Sequence, residues 1–172
     1  MNIVTLKDVL SAYPTRPSEV RKYDYGLMLV IGGSEFYSGA PALNALAGFR
    51  SGLDMVRLIA PQRAADIIAS FSPILASMGF AGKYLLKEHV SLLLAQTLAA
   101  KEVSRGNVSV AIGGGLGRTE ETLEAVAEYL GQIDVPCVVD ADAIHAAAKR
   151  RDASWTFCRA IDRSRRSDWE SA

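Results

Sequence analysis

An excess of charge of either sign is missing from this sequence: 19 lysines and arginines face 19 aspartates and glutamates, so the formal net charge is zero. Nucleic-acid recognition begins with a cationic surface, and a chain balanced in this way offers none, so no nucleic-acid partner is expected. Long apolar runs are missing too. None approaches the roughly 20 residues that cross a bilayer, so no membrane association is expected, and the stretch from Met1 to Leu10 has neither the basic start nor the apolar core of a secretory signal. Cysteine is nearly absent. Cys137 and Cys158 are the only two, and Cys137 falls in an apolar stretch, a usage that fits the reducing cytoplasm better than a disulfide framework.

What is present suffices for one well-buried domain: 172 residues, 49% of them hydrophobic. Apolar periodicity alternates along the chain. Residues 5–12 have a short helical pattern, and Val4, Leu6, Val9 and Leu10 give it an apolar face too small to stand alone, so this lead-in is expected to pack on the domain. Leu27–Ile31 is a continuous apolar run that predicts a buried strand, ended by Gly32 and Gly33, and a helix begins around Pro41 and runs through Phe49. Met55–Ala60 predicts a second strand closed by Pro61, and Gln62–Ser70 a helix. Residues 71–84 are loop-like, with a short strand expected near Ile74–Ala76. Leu85–Val103 reads as one long amphipathic helix, followed by a strand at Val108–Ile112, a helix at Glu120–Leu130, a strand at Pro136–Val139 and a helix at Ala143–Lys149. Strand and helix alternate with no hairpin signal between strands, which predicts a mostly parallel α/β sheet with helices on both faces.

The stretch from Val108 to Arg118 stands out. Val108, Val110 and Ile112 form the strand, Gly113, Gly114, Gly115 and Gly117 form a glycine loop, and Thr119 with Glu120 and Glu121 reads as the capped, acidic opening of a helix. Free amides converge at such a place and suit an anion, phosphate above all. The same glycines also serve if the chain merely has to turn tightly from strand to helix, and the spacing matches neither a P-loop nor a dinucleotide fingerprint. Gly32, Gly33, Ser34 and Gly39 make a second glycine-rich turn, and Asp140-Ala141-Asp142 makes an acidic one. In open parallel sheets the ligand lies beyond the carboxyl ends of the strands, so the three turns would share one crevice if their strands are adjacent. Asp142 is explained as an N-cap of the last helix. Asp140 ends a buried strand, where a carboxylate needs a partner such as a ligand hydroxyl or a magnesium-bound water. His145 and His89 read as structural.

Three linked motifs then carry a family resemblance: Val30-Ile31-Gly32-Gly33-Ser34 leading to Tyr37-Ser38-Gly39-Ala40-Pro41-Ala42, then Ile112 through Arg118, then Val139-Asp140-Ala141-Asp142-Ala143-Ile144. In order and spacing the chain resembles the ADP/ATP-dependent NAD(P)H-hydrate dehydratases, and looks like the first two thirds of their domain. The segment Lys22-Tyr23-Asp24-Tyr25-Gly26 resembles the family's Lys-Gly-Asp-Tyr-Gly lead-in with Tyr23 in place of glycine, and Gly114 replaces a usual proline.

The resemblance implies a ribokinase-like three-layer sandwich, incomplete at its C-terminal side, and a homo-oligomer. It implies a repair activity, in which ADP or ATP with Mg2+ phosphorylates the hydroxyl of hydrated NADH or NADPH, phosphate leaves, and the nicotinamide ring is restored. Carried over, Ala40 would line the hydrated cofactor's pocket, with Gly113, Gly115 and Gly117 approaching it by backbone and Asp140 ordering the polar or metal-bound network. Gly32, Gly33, Ser34, Gly39 and Gly114 would build the phosphate-type loops. The family's Thr-Pro-His strand and its Gly-Thr-Gly-Asp helix start, which carries the catalytic base, occur nowhere in these 172 residues. The expected division is therefore a partial dehydratase domain over 1–148 and a divergent tail over 149–172, which holds seven of the 19 basic residues. A frameshift or truncation explains this tail and a divergent helix is the alternative, with no catalytic residue assigned. The reading of another class is a non-catalytic α/β domain that binds a nucleotide or another subunit.

Overall fold

A computed structural model describes residues 4–13 and 15–149. The tail over 149–172, Lys149's backbone apart, lies outside them. Five strands, β1 (Leu27–Ile31), β2 (Met55–Pro61), β3 (Ala76–Phe80), β4 (Val108–Ile112) and β5 (Cys137–Val139), form one sheet in the order β3-β2-β1-β4-β5. Every neighbouring pair is parallel. Six helices accompany them: α1 (Leu6–Ala12), α2 (Gly39–Arg50), α3 (Gln62–Phe71), α4 (Val90–Val103), α5 (Glu120–Leu130) and α6 (Asp142–Lys149).

Strand periodicity sorts the two cores. Leu27, Leu29 and Ile31 on β1, with Val108, Val110 and Ile112 on β4, face a cluster built by Leu93 of α4, Val126 and Tyr129 of α5, and Ala143 and Ala146 of α6. The alternate residues, Val30 on β1 with Val56 and Leu58 on β2, face Ala42 and Ala45 of α2 and Ala64, Ala65 and Ile68 of α3. A central parallel strand buried on both faces must be apolar at every position, which is why Leu27–Ile31 has no polar alternation. Tyr129 is wholly buried, and its hydroxyl meets Thr97 Oγ1 at 2.7 Å while Thr97 is also bonded to the Leu93 carbonyl. Burial pushes the Tyr129 phenol up from its ordinary value, because the anion would lose its water.

Five expectations need correction. The strand in the loop-like stretch is Ala76–Phe80, not Ile74–Ala76: Leu75 is a buried anchor before it, and pairing begins at Arg57↔Ala76. The long helix starts later, at Val90, after a 3-10 turn at Lys87–His89. In that turn His89 Nδ1 accepts from the Leu86 amide at 3.1 Å and the ring lies against Phe80, which bears out its structural role. The lead-in forms, with Thr5 and Asp8 making a reciprocal capping box, but Val4, Leu6, Val9 and Leu10 stay 44–73% exposed, so this apolar face is not buried on the domain. Asp140 and Asp142, the fourth and fifth, are treated below. Tyr23 has a left-handed backbone (φ 76°), a conformation that glycine adopts without strain and a side-chain-bearing residue does not.

Candidate functional site

Chain order places β1 in the middle, moves outward through β2 and β3, then returns to the other side of β1 for β4 and β5. The order therefore reverses between β1 and β4. Helices leave a crevice at such a switch point, at the carboxyl ends of the two strands. Both glycine turns start there, level with each other, because Ile31 pairs with Ile112.

The two turns pack on one another. The Gly33 amide donates to the Gly114 carbonyl at 2.8 Å, and the Gly113 amide donates to the Ile31 carbonyl at 3.2 Å. A Cβ on Gly32 would lie 2.6 Å from the Gly114 oxygen, and one on Gly115 would lie 2.7 Å from Tyr37 Cβ. Gly113 is the most constrained: its φ is +136°, and a Cβ would collide with the Asp140 carbonyl oxygen. Close approach of backbone to backbone at Gly32 and Gly113, and of the Tyr37 side chain at Gly115, thus accounts for these glycines on architectural grounds. It does not account for Gly39, whose Cβ would meet nothing within 4 Å. The Ser34 hydroxyl is buried and has no hydrogen-bond partner among the described residues. Its loop is tied down elsewhere: Glu35 donates its amide to the Lys83 carbonyl and pairs with the Lys83 ammonium at 2.7 Å, which holds that lysine's pKa above its ordinary value.

Around this joint the sequence-chosen residues come together. Ala40, exposed at the start of α2, lies near Gly114, whose added Cβ would sit 3.1 Å from the Ala40 methyl. The amides of Gly114 and Gly115 donate to no group among the described residues. Asp140 is exposed rather than buried, its carboxylate unpaired among the described residues, so the expectation of a buried strand-end carboxylate with an obligatory partner fails. The reason is that β5 is the edge strand among the described residues, where solvent satisfies the charge. Asp140 and Asn44 border a hollow of about 430 Å3 floored by Met28, Leu53, Ala111 and Val138.

Asp142 is the residue that sequence reasoning misassigned. It lies inside α6, not before it, and its carboxylate reaches across to accept from the Gly117 amide (3.0 Å) and from Arg118 Nε (2.7 Å). The expected cap and acidic first turn of α5 are as read: Thr119 Oγ1 accepts from the Thr122 amide at 3.3 Å, and Glu120 and Glu121 follow. His145 is exposed. Among the described residues no three histidine, cysteine or acidic side chains come together as a metal site.

A parallel sheet with helices on both faces and a glycine-lined crevice at its switch point defines the doubly wound α/β class. It is shared with a ribokinase-like superfamily protein from Enterococcus faecalis (TM-score 0.63, 23% identity, 78% of this chain and 43% of that one). An ADP/ATP-dependent NAD(P)H-hydrate dehydratase from Bacillus subtilis, crystallised with ATP and Mg2+, is similar as well (TM-score 0.58, 24% identity, 81% and 45% of the two chains). A family profile described as NAD(P)H-hydrate dehydratase matches residues 28–161. The chain belongs to that family. A bifunctional NAD(P)H-hydrate repair enzyme from Pyrobaculum aerophilum is 42% identical over 134 residues, which are 77% of this chain and 25% of the relative. The chain thus spans a quarter of that relative and less than half of the two solved chains.

Proposed function

We propose that this chain supplies the hydrate-binding side of an NAD(P)H-hydrate dehydratase and, as these 172 residues, does not complete the reaction. The observation that carries the reading is the switch-point joint. Small or side-chain-free residues, Ala40, Gly113, Gly115 and Gly117, line it, two loop amides are left without a partner among the described residues, and Asp140 stands open beside them. Such a surface lets a bulky dinucleotide come within hydrogen-bond reach of backbone. Gly32, Gly33, Ser34, Gly39 and Gly114 shape it from behind, and Asp140 orients a hydroxyl of the ligand. ADP or ATP would supply the phosphoryl group that turns the hydrate's hydroxyl into a leaving group. No residue described here is assigned to that donor or to its magnesium.

Phosphoryl transfer asks a protein chiefly to position phosphates and to accept the hydroxyl proton. The family segment that does both, Gly-Thr-Gly-Asp, is absent from these residues. A homo-oligomer belongs to the same proposal, and sedimentation velocity showing only monomer across concentrations would remove it. Binding is tested by calorimetric titration of the full chain with NADPH and with its hydrate. Both should bind, and Ala40→Trp should weaken binding by at least about a hundredfold by filling the mouth, since one blocked contact surface removes several kcal/mol. Heat unchanged by Ala40→Trp would place the ligand elsewhere.

A further inference from the structure

At the mouth of α5 the reading above leaves one arrangement unused. The Gly117 amide and the Arg118 guanidinium point the same way, and an amide beside a guanidinium is a ready two-point holder for an oxyanion. The protein fills it with its own carboxylate. Asp142 Oδ2 takes the Gly117 amide at 3.0 Å and Oδ1 takes Arg118 Nε at 2.7 Å, with the Asp142 side chain only 16% exposed. The turn that aims this side chain is held in an unfavoured backbone state, since Ala141 has φ +47°, a conformation that persists in a non-glycine residue only where the surroundings impose it. Asp140, on the other side of Ala141, borders the hollow instead. One strained residue thus separates an open carboxylate from a committed one.

We propose that Asp142 is a specificity-determining residue: its carboxylate stands in for an anion at Gly117 and Arg118, so the crevice refuses a phosphate there and receives the uncharged nicotinamide-nucleoside end of the dinucleotide. A phosphate brought to this place would find the Gly117 amide and Arg118 Nε taken and a like charge beside them. The Gly114 and Gly115 amides, with no partner among the described residues, remain as neutral donors for a carbonyl or hydroxyl oxygen. The identity of the dinucleotide rests on the proposed function, whereas the exclusion of phosphate does not.

The test follows the backbone amide resonances of the isotope-labelled full chain during titration with inorganic phosphate and, separately, with reduced nicotinamide riboside. In the wild type, phosphate should leave Gly117 unmoved and the riboside should shift Gly114 and Gly115. Asp142→Ala should gain phosphate binding at Gly117, tighter than wild type by about tenfold to a hundredfold, the scale of one charge-assisted hydrogen bond. Adding Arg118→Gln to that variant should remove the gain, which a purely structural role for Asp142 would not predict. If Asp142→Ala does not fold, Asp142→Asn, equal in shape and without charge, should show a smaller gain of the same sign. Phosphate shifting Gly117 as strongly in the wild type as in the variant, or no gain in either variant, overturns the exclusion. A riboside that shifts nothing while the variant gains phosphate overturns the dinucleotide reading and leaves the exclusion standing.

Discussion

The two halves of the sheet are finished to different degrees. Over β1 both faces are covered, and α2 sits so close that a Cβ on Gly48 would come within 2.7 Å of Met28 Cε and 3.1 Å of Val56. Over β4 and β5 the described residues cover only the α5 and α6 face. On the other, Ala111 and Val138 floor the hollow, and Val138 is 65% exposed. The candidate site takes its rigidity from one side: the joint between the glycine turns is braced from the β1 side by α2, and among the described residues its β5 side is an open apolar wall.

Substitutions can break or sharpen that contrast. Gly113→Ala should do the most damage, because it pushes a methyl into the Asp140 carbonyl at the seam of the two halves in a backbone state that alanine disfavours. A loss above about 4 kcal/mol, or no folded protein, is expected in urea denaturation. A loss below about 1 kcal/mol would show that the β5 turn yields freely. Next comes a matched pair. Ile68→Ala empties a buried site under α3 and should cost about 2–5 kcal/mol, while Val138→Ala on the bare wall should change stability by no more than about 0.5 kcal/mol. Equal costs would mean that the wall is covered in solution.

The smallest effect belongs to pH and to the covered face. The ordinary pKa of a tyrosine is 10.0, and burial raises that of Tyr129. The neutral phenol is therefore favoured more in the folded chain than in the unfolded one. Its contribution is whole below pH 10 and is lost as pH rises beyond, since the unfolded chain releases the proton first. Stability measured against pH should fall above about 10, and Tyr129→Phe should flatten that limb. A limb unchanged in Tyr129→Phe would assign the fall to other groups.

How much of this was legible in the sequence depends on the range of each interaction. Periodicity and caps are local, so Leu27–Ile31, Met55–Pro61 and Glu120–Leu130 stand within a residue of where the pattern put them. β3 was displaced because Ala76-Ser77-Met78-Gly79-Phe80 has little strand propensity of its own and is held by pairing with β2. The convergence of the two glycine turns could be stated only on condition that their strands are adjacent, and the β1–β4 pairing supplies that condition. The two aspartates were exchanged in importance for a similar reason. Strand-end position suggested burial for Asp140, but edge or centre is a property of the sheet. Asp142 looked like a cap because its partners, Gly117 and Arg118, lie a whole helix earlier in the chain. A carboxylate placed after a strand, with an arginine closing the preceding glycine loop, is the signal that could have found it.

Under the proposed function the described joint binds the hydrate, while the chemistry needs parts these residues do not carry. Purified 172-residue chain incubated with hydrated NADPH, magnesium and either ADP or ATP, with the absorbance of the restored dihydronicotinamide followed over time, tests it most directly. The account predicts recovery no faster than the protein-free control with either nucleotide, since a missing general base alone removes about a hundred- to ten-thousand-fold. Robust nucleotide-dependent recovery that disappears in Asp140→Asn would contradict it, and would make Asp140 the base of a complete enzyme.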